Sequence, residues 1–131
     1  MNGRLVGRWT RADSGAQRYA YEPAWLEDAN ATPISLSLPL SPDPYIGARV
    51  ATFFDNLLPD NADVRRRMQA ALHARSAQPF DLLAAAGADC VGALQLYEVP
   101  SMPDVRRIDA VRVSARDIAK ILEGYRTRPL G

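Results

Sequence analysis

The chain has 131 residues, of which 47% are hydrophobic and 24% charged, and its net charge is +1 from 16 basic and 15 acidic residues. These proportions are those of one soluble globular domain, and they argue against an intrinsically disordered chain. The apolar runs are too short to cross a membrane, and the balanced charge argues against autonomous binding to nucleic acid.

Cysteine and histidine are too scarce for several kinds of site. The sequence holds one cysteine, Cys90, and one histidine, His73. An intrachain disulfide needs two cysteines, and a Cys/His zinc site needs more ligands than these two. Because the sequence also lacks the pattern of a secretory signal, we expect a cytoplasmic protein. We also expect no cofactor.

Two short strands are predicted in the first part of the chain. Residues 4–9 alternate, with Leu5 and Trp9 on one face, and residues 17–21 alternate with both tyrosines on one face. Asp13-Ser14-Gly15 forms a turn between them. Pro23 then begins a short helical turn through Trp25 and Leu26.

A third strand is predicted over residues 33–40, where apolar and polar side chains alternate. The pattern places Ile34, Leu36, Leu38 and Leu40 together on one face of a half-buried strand. Pro39 indicates a position at a sheet edge or near the end of the strand. Residues 41–45 contain two prolines and are predicted to be a loop.

From Val50 onward the apolar period becomes helical. The first stripe consists of Val50, Phe53, Phe54, Leu57 and Leu58, and Pro59 ends this helix. We expect Phe53, Phe54, Leu57 and Leu58 to hold the core together, with a partner-facing patch as the alternative for part of this stripe. Asn61 is suited to cap a second helix, whose stripe is Val64, Met68, Ala71 and Leu72.

The last third is predicted to hold two helices and two strands. Pro79 is suited to the first turn of a helix over residues 80–86 and Gly87 to its C-terminal cap, and residues 91–97 and 107–113 are predicted to be strands. Ser114 and Asp117 have capping-box spacing before a final helix whose stripe is Ile118, Ile121, Leu122 and Tyr125. We therefore predict a single α+β domain over residues 1–125, with about five mostly antiparallel strands and about four helices, and a connector or frayed tail over residues 126–131.

No enzyme signature emerges from the reactive side chains. Asp55, Asp60 and Asp63 fit helix capping and solvation better than a metal site, and His73 fits a helix end. Cys90 fits a small buried thiol. The Arg65–Arg67 run fits a solvated face neutralised by nearby carboxylates, with phosphate contact as the second interpretation. Without a phosphate loop around Lys120, we assign no catalytic, cofactor-binding or metal-binding residue.

The order of five segments resembles the N-terminal domain of the HipA family of bacterial toxin kinases. The segments are YEPAWL at 21–26, PISLSLPL at 33–40, FFDNLLPD at 53–60, QPFDLL at 78–83 and GADCVGAL at 87–94. SLSLPL and FFDNLLPD together are the specific part of this resemblance. The motif residues, expected to serve structure or partner contact, are Trp25, Leu36, Leu38, Phe53, Phe54, Asn56, Leu57, Leu58, Pro59, Phe80, Asp81 and Gly92.

The resemblance implies a role in a toxin–antitoxin system. HipA-type toxins are serine/threonine kinases paired with a helix-turn-helix antitoxin, HipB, and their N-terminal domain packs on the kinase core and contacts HipB and other HipA copies. The kinase motifs of the family lie beyond this domain, so no catalytic residue is carried over. Two interpretations stay open: a non-catalytic module of a HipA-type kinase, or a HipS-like antitoxin that binds and inhibits a short HipT-type kinase.

One feature departs from the family pattern. The family has a strand before the Asn2-Gly3 turn, whereas here Met1 directly precedes this turn. We therefore expect the strand at residues 4–9 to lie beside an empty position in the sheet. Arg4 and Arg8 could blunt this edge by charge; otherwise an upstream strand or another chain, including a second copy, would fill it.

Overall fold

The described part of the chain folds as an α+β domain in which helices cover one face of a small sheet. A computed structural model describes residues 3–86, 94–99 and 112–127, with backbone only for 124–127. Within these residues, the strands are β1 (Gly7–Arg11), β2 (Gln17–Tyr21) and β3 (Tyr45–Ile46). The helices are α1 (Pro23–Leu26), α2 (Ala48–Asp55), α3 (Ala62–Leu72), α4 (Pro79–Ala86) and α5 (Ala115–Thr127).

The sheet is antiparallel, with the strand order β1-β2-β3. Tyr19 pairs with Trp9 on one side and with Tyr45 on the other. Because side chains alternate along a strand, Tyr19 and Tyr21 both lie on the buried face, as predicted. On β1, Gly7 must lack a side chain, since an added Cβ would lie 2.5 Å from the Ala20 carbonyl oxygen and 2.5 Å from the Tyr19 hydroxyl.

The core forms where the buried sheet face meets α2 and α4. Phe54 is 1% exposed, and its ring stacks on Trp9 at a centroid distance of 3.8 Å. Phe53 and Leu57 pack partly buried against the core. The buried apolar residues are Val6, Tyr19, Tyr21, Trp25, Leu38, Val50, Phe54, Leu58, Leu82 and Leu83.

Local signals located both ends of α3 and the start of α5 correctly, whereas α2 ends at Asp55 rather than at the predicted stop, Pro59. The Asn61 side chain accepts hydrogen bonds from the backbone N–H groups of Asp63 and Val64, which caps α3. His73 ends this helix in a left-handed conformation with φ 53°. Ser114 and Asp117 form the predicted reciprocal capping box at α5.

The predicted strand over residues 33–40 is wrong. The Ser35 carbonyl accepts a hydrogen bond from the Leu38 N–H at 3.0 Å, and the Ser35 hydroxyl accepts one from the Ser37 N–H at 3.1 Å. These bonds close a tight turn, because the serine side chain competes for backbone groups that a strand would use. Leu36 and Leu38 therefore do not share a face: Leu36 is 97% exposed and Leu38 is 0% exposed.

The expected five strands are also corrected, since the described residues hold three. β1 is displaced from residues 4–9 to Gly7–Arg11, and β3 lies at the end of a predicted loop. Residues 94–97 form no strand, and residues 91–93 and 107–111 lie outside the described residues. The fifth helix in the count is the short turn α1.

Other predicted features hold only in part. On α3, Val64 and Met68 are half-buried, whereas Ala71 and Leu72 are exposed. Arg4 pairs with Asp28 and Arg8 with Glu22, so both charges are used inside the domain rather than only as edge protection. Asn2, Gly87 and residues 128–131 of the predicted 126–131 tail lie outside the described residues, whereas α5 continues to Thr127.

Two buried tyrosines on β2 provide a matched test of the packing. The Tyr21 hydroxyl accepts from the Ile34 N–H at 3.0 Å and donates to the Leu38 carbonyl at 2.5 Å. The Tyr19 hydroxyl is buried without a hydrogen-bond partner among the described residues, and burial raises its pKa. We expect Tyr21→Phe to lower the free energy of unfolding by about 1–3 kcal/mol and Tyr19→Phe to raise it by about 1 kcal/mol.

Urea denaturation of both variants against the parent measures this difference. Equal losses from the two substitutions would contradict the hydrogen-bond assignment, because both remove the same hydroxyl from the same face of one strand.

Candidate docking surface

The reactive side chains singled out in the sequence are mostly engaged in local ion pairs and caps. Asp55 accepts a hydrogen bond from Arg65 at 2.6 Å, and Asp63 pairs with Arg66, which agrees with the expected neutralisation of the arginine run. Within residues 3–86, 94–99 and 112–127, no group of three His, Cys, Asp or Glu side chains could hold a metal ion. Cys90 lies outside these residues.

The family-motif residues divide between the core and the surface. Gly92 lies outside the described residues. Buried motif residues are Trp25, Leu38, Phe54, Leu58 and Asp81; half-buried ones are Phe53, Leu57 and Phe80; exposed ones are Leu36, Asn56 and Pro59. The exposed members are those available for contact with a partner.

Leu36 stands at the tip of the turn at residues 35–38. Hydrogen bonds from Leu38 and Ser37 close this turn on Ser35, and the two serine hydroxyls lie 2.8 Å apart. The next leucine, Leu38, is fully buried, and its carbonyl accepts the Tyr21 hydroxyl bond. The turn is thus fixed to the core at one end while it presents an apolar side chain to solvent.

A buried carboxylate connects α4 to the sheet. Asp81, 7% exposed, accepts from Arg11 at 2.8 and 3.3 Å and from the Ser76 hydroxyl at 2.6 Å. Arg75 lies 3.8 Å from the same carboxylate and also contacts Glu98. The Ser76 hydroxyl lowers the pKa of Asp81 most; burial opposes it, and Arg11 acts in the same direction as Ser76. These contacts are those of a structural anchor.

A cavity of about 550 Å³ lies between the first strand region and the segment 94–99. Among the described residues its lining includes residues 3–11 and the aromatic side chains of Tyr19, Phe54 and Phe80. No local sequence pattern indicates this cavity, because its walls come from segments far apart along the chain. Its lining is mostly apolar, with the charged side chains of Arg4, Arg8, Arg11 and Glu98 among it.

The last described helix, α5, carries a second apolar surface. Ile118, Ile121 and Leu122 are 45%, 49% and 61% exposed. Their spacing is the predicted helical stripe, but the stripe is open rather than packed into the core. No helix in the described part of the chain is both long and apolar enough to span a membrane.

The Asp81 anchor predicts a specific loss of stability in acid. Because its pKa is lowered in the folded state, the carboxylate stabilises the fold above the pKa of the unfolded chain, near 3.9 for an ordinary Asp, and this contribution disappears as the pH falls through the folded value. We expect the parent to lose stability below about pH 4 more steeply than Asp81→Asn does. Urea unfolding from pH 7 to pH 2 measures both slopes.

Ser76→Ala is the matched control, since it keeps the charge and removes the hydrogen bond that lowers the pKa most. Its stability should fall at neutral pH, and its acid slope should lie between those of the parent and Asp81→Asn. An unchanged acid slope in Asp81→Asn would contradict the assignment.

Comparisons with known proteins agree with the resemblance found in the motifs. The HipA N-terminal domain matches residues 1–97 of the chain. A curated relative, "Putative kinase Y4mE" of Sinorhizobium fredii (strain NBRC 101917 / NGR234), is 35% identical over 136 residues. That alignment covers 98% of this chain and 31% of the relative, so the chain spans less than a third of the relative's length. The chain therefore belongs to the HipA N-terminal domain family.

Proposed function

We propose that this domain is a non-catalytic docking module of a HipA-type serine/threonine kinase in a toxin–antitoxin system, and that it acts in the cytoplasm by binding the kinase core. The family match over residues 1–97 and the kinase name of the relative support this role. The matched part is 31% of that relative, which leaves most of its length for the kinase core.

The observation that carries the proposal is the exposure of Leu36. Among the described residues, this motif leucine is 97% exposed, although burying a leucine side chain is worth about 1.5–3 kcal/mol. Side-chain and backbone hydrogen bonds already order the turn that holds it. A partner that buries Leu36 therefore gains apolar contact while losing little conformational entropy.

The proposal extends to the other partners of the family. Docking on a HipB-type antitoxin and contact with a second copy are the further interactions that the family relation favours, with neither nucleic acid nor membrane as a direct partner. The alternative role, a HipS-like antitoxin, uses the same kinase contact with the opposite biological effect. The length of the relative favours the module.

Leu36→Ser should weaken capture of the kinase core at least tenfold without changing the melting temperature of the domain. The probe is the remaining part of the Y4mE relative, co-expressed as a separate chain with the tagged domain. Ile46→Ser is the matched control, because Ile46 is an exposed apolar side chain outside the motif at 67% exposure, and it should leave capture unchanged.

Leu38→Ala tests the other half of the same motif. Leu38 is fully buried, so its truncation should cost about 2–5 kcal/mol of stability.

Full capture of the kinase core by Leu36→Ser, or equal losses of capture from Leu36→Ser and Ile46→Ser, would contradict docking through this turn.

A growth assay separates the two biological roles. As a module, the domain supplied in trans should leave cells expressing a short HipT-type kinase arrested, whereas rescue of growth would establish the HipS-like alternative.

The purified domain, incubated with magnesium and labelled ATP, should give no turnover of ATP. ATP hydrolysis by the purified domain would contradict the non-catalytic assignment.

A further inference from the structure

The helix α5 presents an apolar stripe that the rest of the described domain leaves open. Ile118, Ile121 and Leu122 follow the i, i+3, i+4 spacing of one helix face and are 45–61% exposed. An exposed apolar stripe costs hydration free energy and usually marks a contact surface. The Ser114–Asp117 capping box fixes the start of this helix, so the stripe belongs to a defined element.

The charges on α5 indicate what kind of surface covers the stripe. Arg116, Lys120 and Glu123 lie on the opposite side of the helix, and Asp117 lies beside the stripe. A helix that binds anionic lipid carries a polar face rich in lysine and arginine, whereas these signs are mixed. The pattern fits packing against another protein surface.

We propose that the stripe of Ile118, Ile121 and Leu122 packs against the kinase core that follows this domain in the longer relatives; this rests on the proposed function. The matched family is an N-terminal domain, so the remaining chain of such a kinase comes after it. The alignment with the Y4mE relative includes 98% of this chain, and 69% of the relative lies outside it (100% minus 31%).

The covalent connection favours this contact over a second copy of the chain. In a kinase whose core follows the matched domain, the chain itself holds that core near the counterpart of α5 at high effective concentration. A contact of modest area is then sufficient, whereas association of two separate chains through three aliphatic side chains would have to offset the full entropy of association.

The test measures the accessibility of α5 in a complete protein. The 131 residues replace the matched part of the full-length Y4mE relative, and alkylation of Ile121→Cys is followed by site-resolved mass spectrometry in this chimera and in the isolated chain. We expect at least tenfold slower alkylation in the chimera. Glu123→Cys, on the polar side of the same helix, is the control and should react at the same rate in both.

Equal alkylation rates of Ile121→Cys in the two proteins would overturn the proposal. Alkylation of Ile121→Cys that becomes slower in the isolated chain as the protein concentration rises would also overturn the proposal, because a second copy would then cover the stripe. Backbone amide exchange in the unsubstituted chimera provides an independent readout: protection of α5 supports the contact even if the substitution itself loosens it, and no protection overturns it.

The outcome is distinguishable from failure of the proposed function. If the unsubstituted domain captures the separate kinase core while α5 remains open in the chimera, only the α5 contact is wrong. If capture is absent and α5 is also open, the docking role itself fails.

Discussion

The stacking of Trp9 on Phe54 joins the sheet to the helices, and the remaining packing depends on it. The two rings lie 3.8 Å apart at an interplanar angle of 8°, and Phe80 approaches Trp9 edge-on at 4.6 Å. The strand β1 and the helices α2 and α4 thus meet at one aromatic cluster. Such ring pairs add about 0.5–1.5 kcal/mol each to the burial of their area. Arg11 packs over Phe80 and reaches Asp81, so the ion pair strengthens the same junction.

A second set of contacts fixes the loop between α1 and β3, which has no regular structure of its own. The Tyr21 hydroxyl holds both Ile34 and Leu38, and the Trp25 indole donates to the Thr32 carbonyl at 3.1 Å. Since Tyr21 and Trp25 are core residues, their side chains rather than a strand ladder order the loop. This explains how a loop can present Leu36 in a fixed position.

Local sequence signals predicted the parts of the structure that depend on near neighbours. The Asn61 cap and the Ser114–Asp117 capping box were correct because each uses groups within a few residues. The strand at residues 33–40 failed because alternation describes side chains only, whereas Ser35 took the backbone bonds into a turn. β3 has two residues, too few for any pattern.

The candidate surfaces were predictable to different degrees for the same reason. The α5 stripe follows from spacing alone, although only the structure shows that it is open. The Arg11–Asp81 pair joins residues 70 positions apart, which no local pattern reveals. The sequence pattern could not predict that Leu36 is exposed, because the alternation of apolar and polar residues assigned it to the same face as Leu38.

The SLSLPL motif shows why a family motif should not be equated with one role. Leu38 and Leu36 are two positions apart, yet one is fully buried and the other is 97% exposed. Leu38 determines where the turn sits, and the turn determines where Leu36 points. Substitution of either leucine would therefore reduce partner binding, by unfolding in the case of Leu38 and by loss of contact in the case of Leu36. Only the free energy of unfolding separates these causes, since binding alone reports the product of a folded population and an intact surface.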